Sequence, residues 1–389
     1  MGLHIQEIDP EGDTLLTLRQ PDAPFAVCEE KTMWPNYLPQ YDSLVIEEIR
    51  ELLGHTTLLD VAPTNGRHGR WHPVQKPTTR QQPPETDSEE EEDSEEESEE
   101  ETDDEDEGRI IQMLVSSKHL MYASKYYQTM LAGNWAETKA RNGYRYQIAT
   151  SEWSYDAVLI LMNILHGRTR DVPRKLDLET LAQVAALTDY YECSDAVDFF
   201  SKTWAENLED PEPSAYGRKL LLRMSIAWVF GEGEVYHKLA KIVLRSIRGP
   251  MHQLDLPGLP QTGDLIEERR QELIGHVLDK LHDLVFLLVR AENRCTYPCS
   301  ARLIGYLLKG MQAAGLWEPG PEPPFYGYSL VALMGTIRAF REPSDDNCTD
   351  KPPGSNGQRN CKCKLRHNIA PIIGYMEKEI DKLKIPLRE

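Results

Sequence analysis

Residues 85–107 hold 18 Asp or Glu, five Ser or Thr, and no Lys or Arg. A stretch of that charge density has no apolar face to bury, so it cannot offset the entropy of ordering its own backbone. It must therefore lie outside any core. The preceding segment, Pro63 to Pro84, is rich in Pro, Gly, Thr and Gln, which extends the expected disorder over about 60–108. The tract also explains the charge. The 389 residues carry 64 acidic against 43 basic side chains, a net of −21. Setting those 18 aside leaves 46 against 43, a nearly neutral chain. Such a chain presents no general basic surface, which argues against direct binding to nucleic-acid backbones.

At 40% hydrophobic residues the chain has the material for a core, and its length suggests two domains or one with a large appendage. No run of 18 apolar residues occurs. Even Leu281 to Val289 has Asp279, Lys280, Asp283 and Arg290 within or beside it, so no membrane-spanning helix and no membrane association are expected. MGLHIQEIDP lacks the basic-then-apolar layout of a signal peptide. Gln6 stands where a myristoylation motif needs Ser or Thr. Seven cysteines, thinly spread, do not form a secreted disulfide framework. The expectation is an intracellular protein of the nucleus or cytoplasm, in which the sequon Asn347-Cys348-Thr349 stays silent.

Strand signals are confined to three places. Alternation in 12–27, with a turn at Gln20-Pro21-Asp22, predicts a β-hairpin. RIIQMLVSS at 109–117 and GYRYQIA at 143–149 predict two more strands. Helical spacing predicts one helix over KHLMYASKYYQTMLAG, then helices at 154–165, 176–190 and 194–208. A short helix at 42–53 closes at Gly54. From about 212 only helices are expected: 219–230, 235–247, 264–292, 300–314, 329–340 and 369–384. Asp264 with Glu267 reads as a capping box opening the longest. Pro-rich breaks at 319–324 and a polar loop at 343–360 separate the later ones.

Segment 109–208 resembles a BTB/POZ domain. The residues carrying the likeness are Val115, Leu120, Ser124, Tyr127 and Leu131 in VSSKHLMYASKYYQTML, then Trp135-Ala136-Glu137, the strand Tyr144 to Ile148, and LILMNILHG at 159–167. LETLAQVAALTDYYECSDAVDFFSKTW is similar to the pair of closing helices. Ser116, Lys125 and Tyr127 depart from the family's usual His, Pro and Phe. The resemblance implies an α+β fold, a small β-sheet flanked by helices, followed by an all-α C-terminal region. The implied boundaries are first strands at 10–30, an inserted acidic linker at 31–108, the rest of the domain at 109–210, and a helical domain at 211–389. The whole resembles filamentous-fungal BTB proteins with a helical C-terminal half, through Cys299 to Gly305, Gly315-Leu316-Trp317 and the Pro-rich run ending at Gly327.

No catalytic motif is found. Gly231-Glu232-Gly233 lacks the third glycine, the Lys and the strand of a phosphate loop, and neither G-x-S-x-G nor HExxH occurs. Cys295 and Cys299, with Cys363 and His367 some 60 residues on, offer four zinc-type donors. The competing reading makes Cys299 and Cys363 small buried hydrophobes, with no cofactor. Tyr122, Tyr126, Tyr127, Tyr190, Tyr191, Phe199, Phe200 and Trp204 form either a ligand cage or, as helical spacing favours, core and helix-interface packing.

Thr86, Ser88, Ser94, Ser98 and Thr102 each have an acidic residue three positions downstream, the pattern an acidophilic kinase reads; the alternative is a solvating spacer. The function expected is a non-enzymatic protein–protein interaction module, with a homodimer or another protein as partner. The resemblance further implies an adaptor for a cullin-type ubiquitin ligase. The alternative is a nuclear regulator or histone-binding protein acting through its acidic tract.

Overall fold

The strand-forming residues on either side of the acidic tract meet in one sheet. The computed structural model describes residues 5–28, 109–133, 140, 143–209, 211–290, 297–343 and 364–387. Its strands are β1 (Ile5–Glu7), β2 (Thr14–Arg19), β3 (Ile110–Val115) and β4 (Tyr146–Ser151), in the order β1-β3-β2-β4. β2 pairs antiparallel with β3 over its full length, from Thr14 opposite Val115 to Arg19 opposite Ile110. β1 runs parallel to β3, and β4 parallel to β2. Alternation places Leu16 across from Met113 and Ile148, and Thr14 across from Val115 and Tyr146. All six are buried, so the period-2 pattern defines the core face.

The hairpin expected over 12–27 does not form. β2 ends at Arg19, and residues 20–28 carry turns with no strand. Gln20 turns the chain at φ 50°, and Pro21 and Pro24 supply no ladder N–H. β2 instead finds the aliphatic β3, far along the chain. Before β2 the chain must pass close to β3. A Cβ on Gly12 would lie 2.7 Å from the Val115 carbonyl oxygen and 2.9 Å from that of Asp9. Only glycine fits there.

Asp13 then locks the approach. Its Oδ1 accepts the Ser117 N–H (2.8 Å) and the Thr14 hydroxyl (3.2 Å), and its Oδ2 accepts the Ser117 hydroxyl (2.7 Å). Its carbonyl accepts the Arg145 N–H at 2.8 Å. Ser117 opens α1 (Ser117–Ala123), so one residue joins β2 and a helix start through its carboxylate and the entry to β4 through its carbonyl.

The single helix expected after β3 is two, α1 and α2 (Lys125–Ala132). The break is Ser124, which is extended (φ −136°, ψ 123°). Its hydroxyl accepts the Tyr127 N–H (3.1 Å) and donates to the Tyr191 carbonyl (2.5 Å). A capping serine with a tertiary acceptor thus interrupts what propensity alone would continue. Helices α3 (Tyr155–Leu165), α4 (Leu178–Tyr190, capped by Asp177) and α5 (Ser194–Glu206) follow.

The remaining helices are α6 (Arg218–Val229), α7 (Gly233–Ser246), α8 (Leu259–Val289), α9 (Tyr297–Ala313), α10 (Leu330–Arg338) and α11 (Leu365–Asp381). The described chain is thus a small sheet with predominantly helical structure. α8 is the axle, packing on α6, α7, α9, α10 and α11. The capping box at Asp264 and Glu267 is not its start. α8 begins five residues earlier, after Gly258 at φ 76°, with Pro260 in its first turn. Glu267 instead grips Arg270 (2.6 and 2.7 Å).

Arg270 is fully buried and satisfied. Besides Glu267, it donates to the carbonyls of Pro324 (2.6 Å), Phe325 (3.0 Å) and Tyr328 (2.9 Å). Those five bonds use all five guanidinium N–H groups and fix the Pro-rich connection between α9 and α10. Arg218 does the same between halves of the fold. It pairs with Glu179 on α4 (2.5 and 2.6 Å) and donates to the carbonyls of Phe25 and Ala26, each at 2.9 Å. With α6 packed on α4, one apolar cluster runs from Ile8 to Ile385.

The expected helix at 42–53, the acidic tract, Trp135 to Glu137 and the sequon lie outside the described residues. Among the described residues no helix is long and apolar enough to cross a membrane.

Replacing Asp13 by Ala is expected to cost about 2–3 kcal/mol in urea unfolding at neutral pH, because the Ser117 N–H is left buried without its charged acceptor. Burial works to raise the Asp13 pKa, but hydrogen bonds from Ser117 and Thr14 outweigh it and hold the group below its ordinary value. Its contribution is therefore complete above about pH 4, the unfolded value, and disappears as pH falls through the depressed folded value. Unfolding curves of wild type and Asp13→Ala should converge in acid.

Arg270→Lys keeps the charge but has three donors for five acceptors. A loss of about 3–5 kcal/mol in the same measurement is expected.

Candidate interaction surface

Ser124 caps α2, and the turn after α4 is held against it: Ser124 donates to the Tyr191 carbonyl, and the Lys125 N–H donates to the Glu192 carbonyl at 3.4 Å. This juxtaposition gathers five aromatic rings. Tyr127, fully buried, stacks on Tyr191 at 4.8 Å and 14°. The Tyr191 hydroxyl donates to Thr150 on β4 (3.1 Å). Tyr126 meets Tyr127 edge-on at 5.5 Å and lies 5.4 Å from both Tyr190 and Tyr191. Tyr190 reaches Trp153 at 5.6 Å. The rings lead from the core to the surface, where Tyr190 is 51% exposed and Tyr126 and Trp153 are half-buried. A rigid aromatic platform carrying phenol groups is the kind of surface that anchors protein partners.

The eight aromatics expected to pack inside divide three ways. Tyr127, Tyr191 and Trp204 are buried, and Tyr126 and Phe200 half-buried. Tyr122 (96%), Tyr190 and Phe199 (74%) are exposed. The reason is helical geometry. Tyr122 stands two positions beyond buried Leu120 on α1, and Phe199 two beyond buried Val197 on α5, which places each on the opposite face. A second apolar surface ends α8, where Phe286, Leu287 and Val289 are exposed beside buried Leu284, Val285 and Leu288. The periodicity that puts Leu273, Val277, Leu281, Leu284 and Leu288 on one apolar stripe of this helix does not mark Phe286, Leu287 and Val289 as a surface, and nothing in the spacing singles out Trp153. The apolar character of 284–289 on every side of a helix was the available signal.

Serine, histidine and carboxylate do come together, around Ser117, His166 and Asp13, but in an order unsuited to nucleophilic catalysis. Ser117 is fully buried, and its hydroxyl proton goes to Asp13. His166 Nδ1 donates to the Met162 carbonyl (2.8 Å), so Nε2 is unprotonated and accepts the Ser116 N–H (2.9 Å). Burial lowers the His166 pKa and keeps this neutral tautomer. Burial also pushes the Cys193 thiol up to about 12, far from a reactive thiolate.

Of the candidate zinc donors, Cys299 is 4% exposed on α9 and His367 is exposed in the first turn of α11, while Cys295 and Cys363 lie outside the described residues. Among the described residues no group of three or more His, Cys, Asp or Glu is placed to hold a metal ion. Thr86, Ser88, Ser94, Ser98 and Thr102 also lie outside the described residues.

No family model matches the chain, and comparison with curated proteins yields no match.

The Tyr127 hydroxyl lies beside that of Tyr191 without a well-formed hydrogen bond among the described residues, and burial, with Tyr191 next to it, raises its pKa well above the ordinary phenol value. A buried hydroxyl whose hydrogen bond is poorly formed costs up to about 1–3 kcal/mol. Tyr127→Phe is therefore expected to raise stability by about 1 kcal/mol in urea unfolding and to leave the exposed aromatic platform intact.

Proposed function

We propose that the protein is a non-enzymatic interaction module built around a BTB/POZ-type domain. The observation that carries this reading is the exposed aromatic platform of Tyr126, Tyr190 and Trp153, anchored by stacked Tyr127 and Tyr191 on a small sheet with flanking helices. An aromatic surface held rigid before a partner arrives loses little side-chain entropy on binding. The exposed end of α8 supplies a second apolar surface in the helical half. Two separate surfaces are what an adaptor requires, one for a ubiquitin-ligase scaffold of the cullin type and one for the protein to be modified. A second copy of the chain is the competing occupant of either surface.

The acidic tract favours a second reading, a nuclear regulator that holds histones or other basic proteins by charge. The two readings separate in one experiment, affinity purification of the full chain from native cells. The adaptor reading expects a cullin, with recovery reduced at least about tenfold by Tyr190→Glu and unaffected by deleting 85–107. The acidic reading expects histones, lost on that deletion and indifferent to Tyr190. Recovery of a cullin unchanged by Tyr190→Glu would remove the platform from the proposal.

A further inference from the structure

We propose that the aromatic platform takes an arginine side chain of a protein partner, stacked on Tyr190 and Trp153 and paired with Glu152 or Glu192, an assignment that rests on the interaction reading of that surface. Tyr190 is the centre of the outer rings. Its ring is tilted 41° from Tyr126 at 5.4 Å and 57° from Trp153 at 5.6 Å, and it meets Tyr191 edge-on at 4.9 Å. Four neighbouring groups thus hold a ring that still opens to solvent on one side. Such a ring offers its negative face to a cation within about 6 Å of the centroid.

Two exposed carboxylates adjoin these rings in the chain. Glu152 precedes Trp153, and Glu192 follows Tyr191. Both stand in the left-handed region, at φ 65° and φ 48°. Each is in a turn: the Glu152 N–H donates to the Arg19 carbonyl, and the Glu192 N–H to the Asp189 carbonyl, both at 3.1 Å. Glycine or asparagine suits such a turn better than glutamate, so the backbone does not require glutamate at either place. Neither carboxylate serves an internal ion pair. Lys125 and Arg19 meet these two residues through backbone bonds, yet among the described residues neither side chain pairs with Glu152 or Glu192.

Aromatic faces with carboxylates at their margin favour one cation over the others. A guanidinium is planar and weakly hydrated, stacks on rings, and donates two parallel N–H groups to a carboxylate at the same time. An ammonium is compact and strongly hydrated, so it gives up more water for the same contact. A single cation–π contact at an open site is weak, which makes a free guanidine a poor occupant. An arginine carried by a protein gains from the residues on either side of it, and its rigid aromatic seat is already formed.

The experiment follows the ring resonances of Tyr190 and the Trp153 indole in the full chain. The titrants are acetylated, amidated Gly-Leu-Arg-Leu-Gly and the same peptide with citrulline or lysine in place of arginine. Shifts that saturate below about 10 mM are expected with the arginine peptide. Citrulline keeps the shape without the charge, and should bind at least about tenfold more weakly, with lysine between the two. Glu152→Gln combined with Glu192→Gln should weaken the arginine peptide about tenfold and leave Tm unchanged, since both side chains are exposed; a purely structural role would move Tm instead. Absence of saturation, equal binding of the citrulline peptide, or full affinity in the double variant overturns the proposal. A cellular partner that depends on Tyr190 but is indifferent to the two glutamine substitutions also overturns it, while leaving the interaction reading in place.

Discussion

The carboxylate of Asp13 closes the sheet half of the molecule. It bonds the backbone and hydroxyl of Ser117, 104 positions away, and its own carbonyl receives the chain entering β4. Both central strands depend on that closure. β2 and β3 are neighbours in the sheet, yet residues 20–109 separate them in sequence. Joining distant strands costs little more as the intervening length grows, about 0.6 kcal/mol per doubling. A charged, three-point clamp next to a glycine that permits close approach is well suited to meeting that cost. The surface role proposed for Tyr190 draws on the same half, because its ring neighbours are Tyr126 on α2, Tyr191 held by Thr150 of β4, and Trp153 just beyond β4.

Arginines supply a second device in both halves. Three of them bind backbone carbonyls at the ends of elements and in connections: Arg168 takes those of Glu7 and Ile8, Arg218 those of Phe25 and Ala26, and Arg270 those of Pro324, Phe325 and Tyr328. Each has a carboxylate beside it, Asp171, Glu179 or Glu267. A guanidinium fork meets several acceptors in one plane, which suits irregular segments such as 25–26 and 324–328 that have no ladder of their own. The Pro-rich run before Gly327 therefore acquires a defined shape without forming a helix or a strand. Arg223 departs from this pattern: it pairs with Glu232 through Nη2 alone, and its Nη1 and the Glu232 Oε1 are both buried without a hydrogen bond.

Much of the element pattern is legible from periodicity. Buried Leu16, Met113 and Ile148 alternate as strand residues should, and the helices from α3 onward lie within a few residues of where apolar spacing puts them. The departures have physical causes. The hairpin at 12–27 and the continuous helix across Ser124 are local inferences displaced by partners distant in sequence, β3 and the Tyr191 carbonyl; the capping box at Asp264 is instead overtaken by an earlier helix start, after Gly258 with Pro260 in the first turn. Local signals describe what a segment favours in isolation, and tertiary contacts of a few kcal/mol override them. The candidate surface was half legible. Its tyrosines stood out in the sequence, but which of them face outward depends on how α1, α2 and α4 are rotated against the sheet.

The acidic tract determined, by sequence alone, that 85–107 cannot join a core and that the rest of the chain is nearly neutral. That conclusion needs only charge and the absence of apolar side chains. Sequence also located most helices, because a 3.6-residue period is a local property. Tertiary structure alone decided that β2 pairs with β3, that Tyr190 emerges while Tyr191 stays buried, and that Arg270 is fully buried among the carbonyls of 324–328. Those outcomes rest on which distant groups come within hydrogen-bonding or van der Waals range, and no spacing along the chain encodes that.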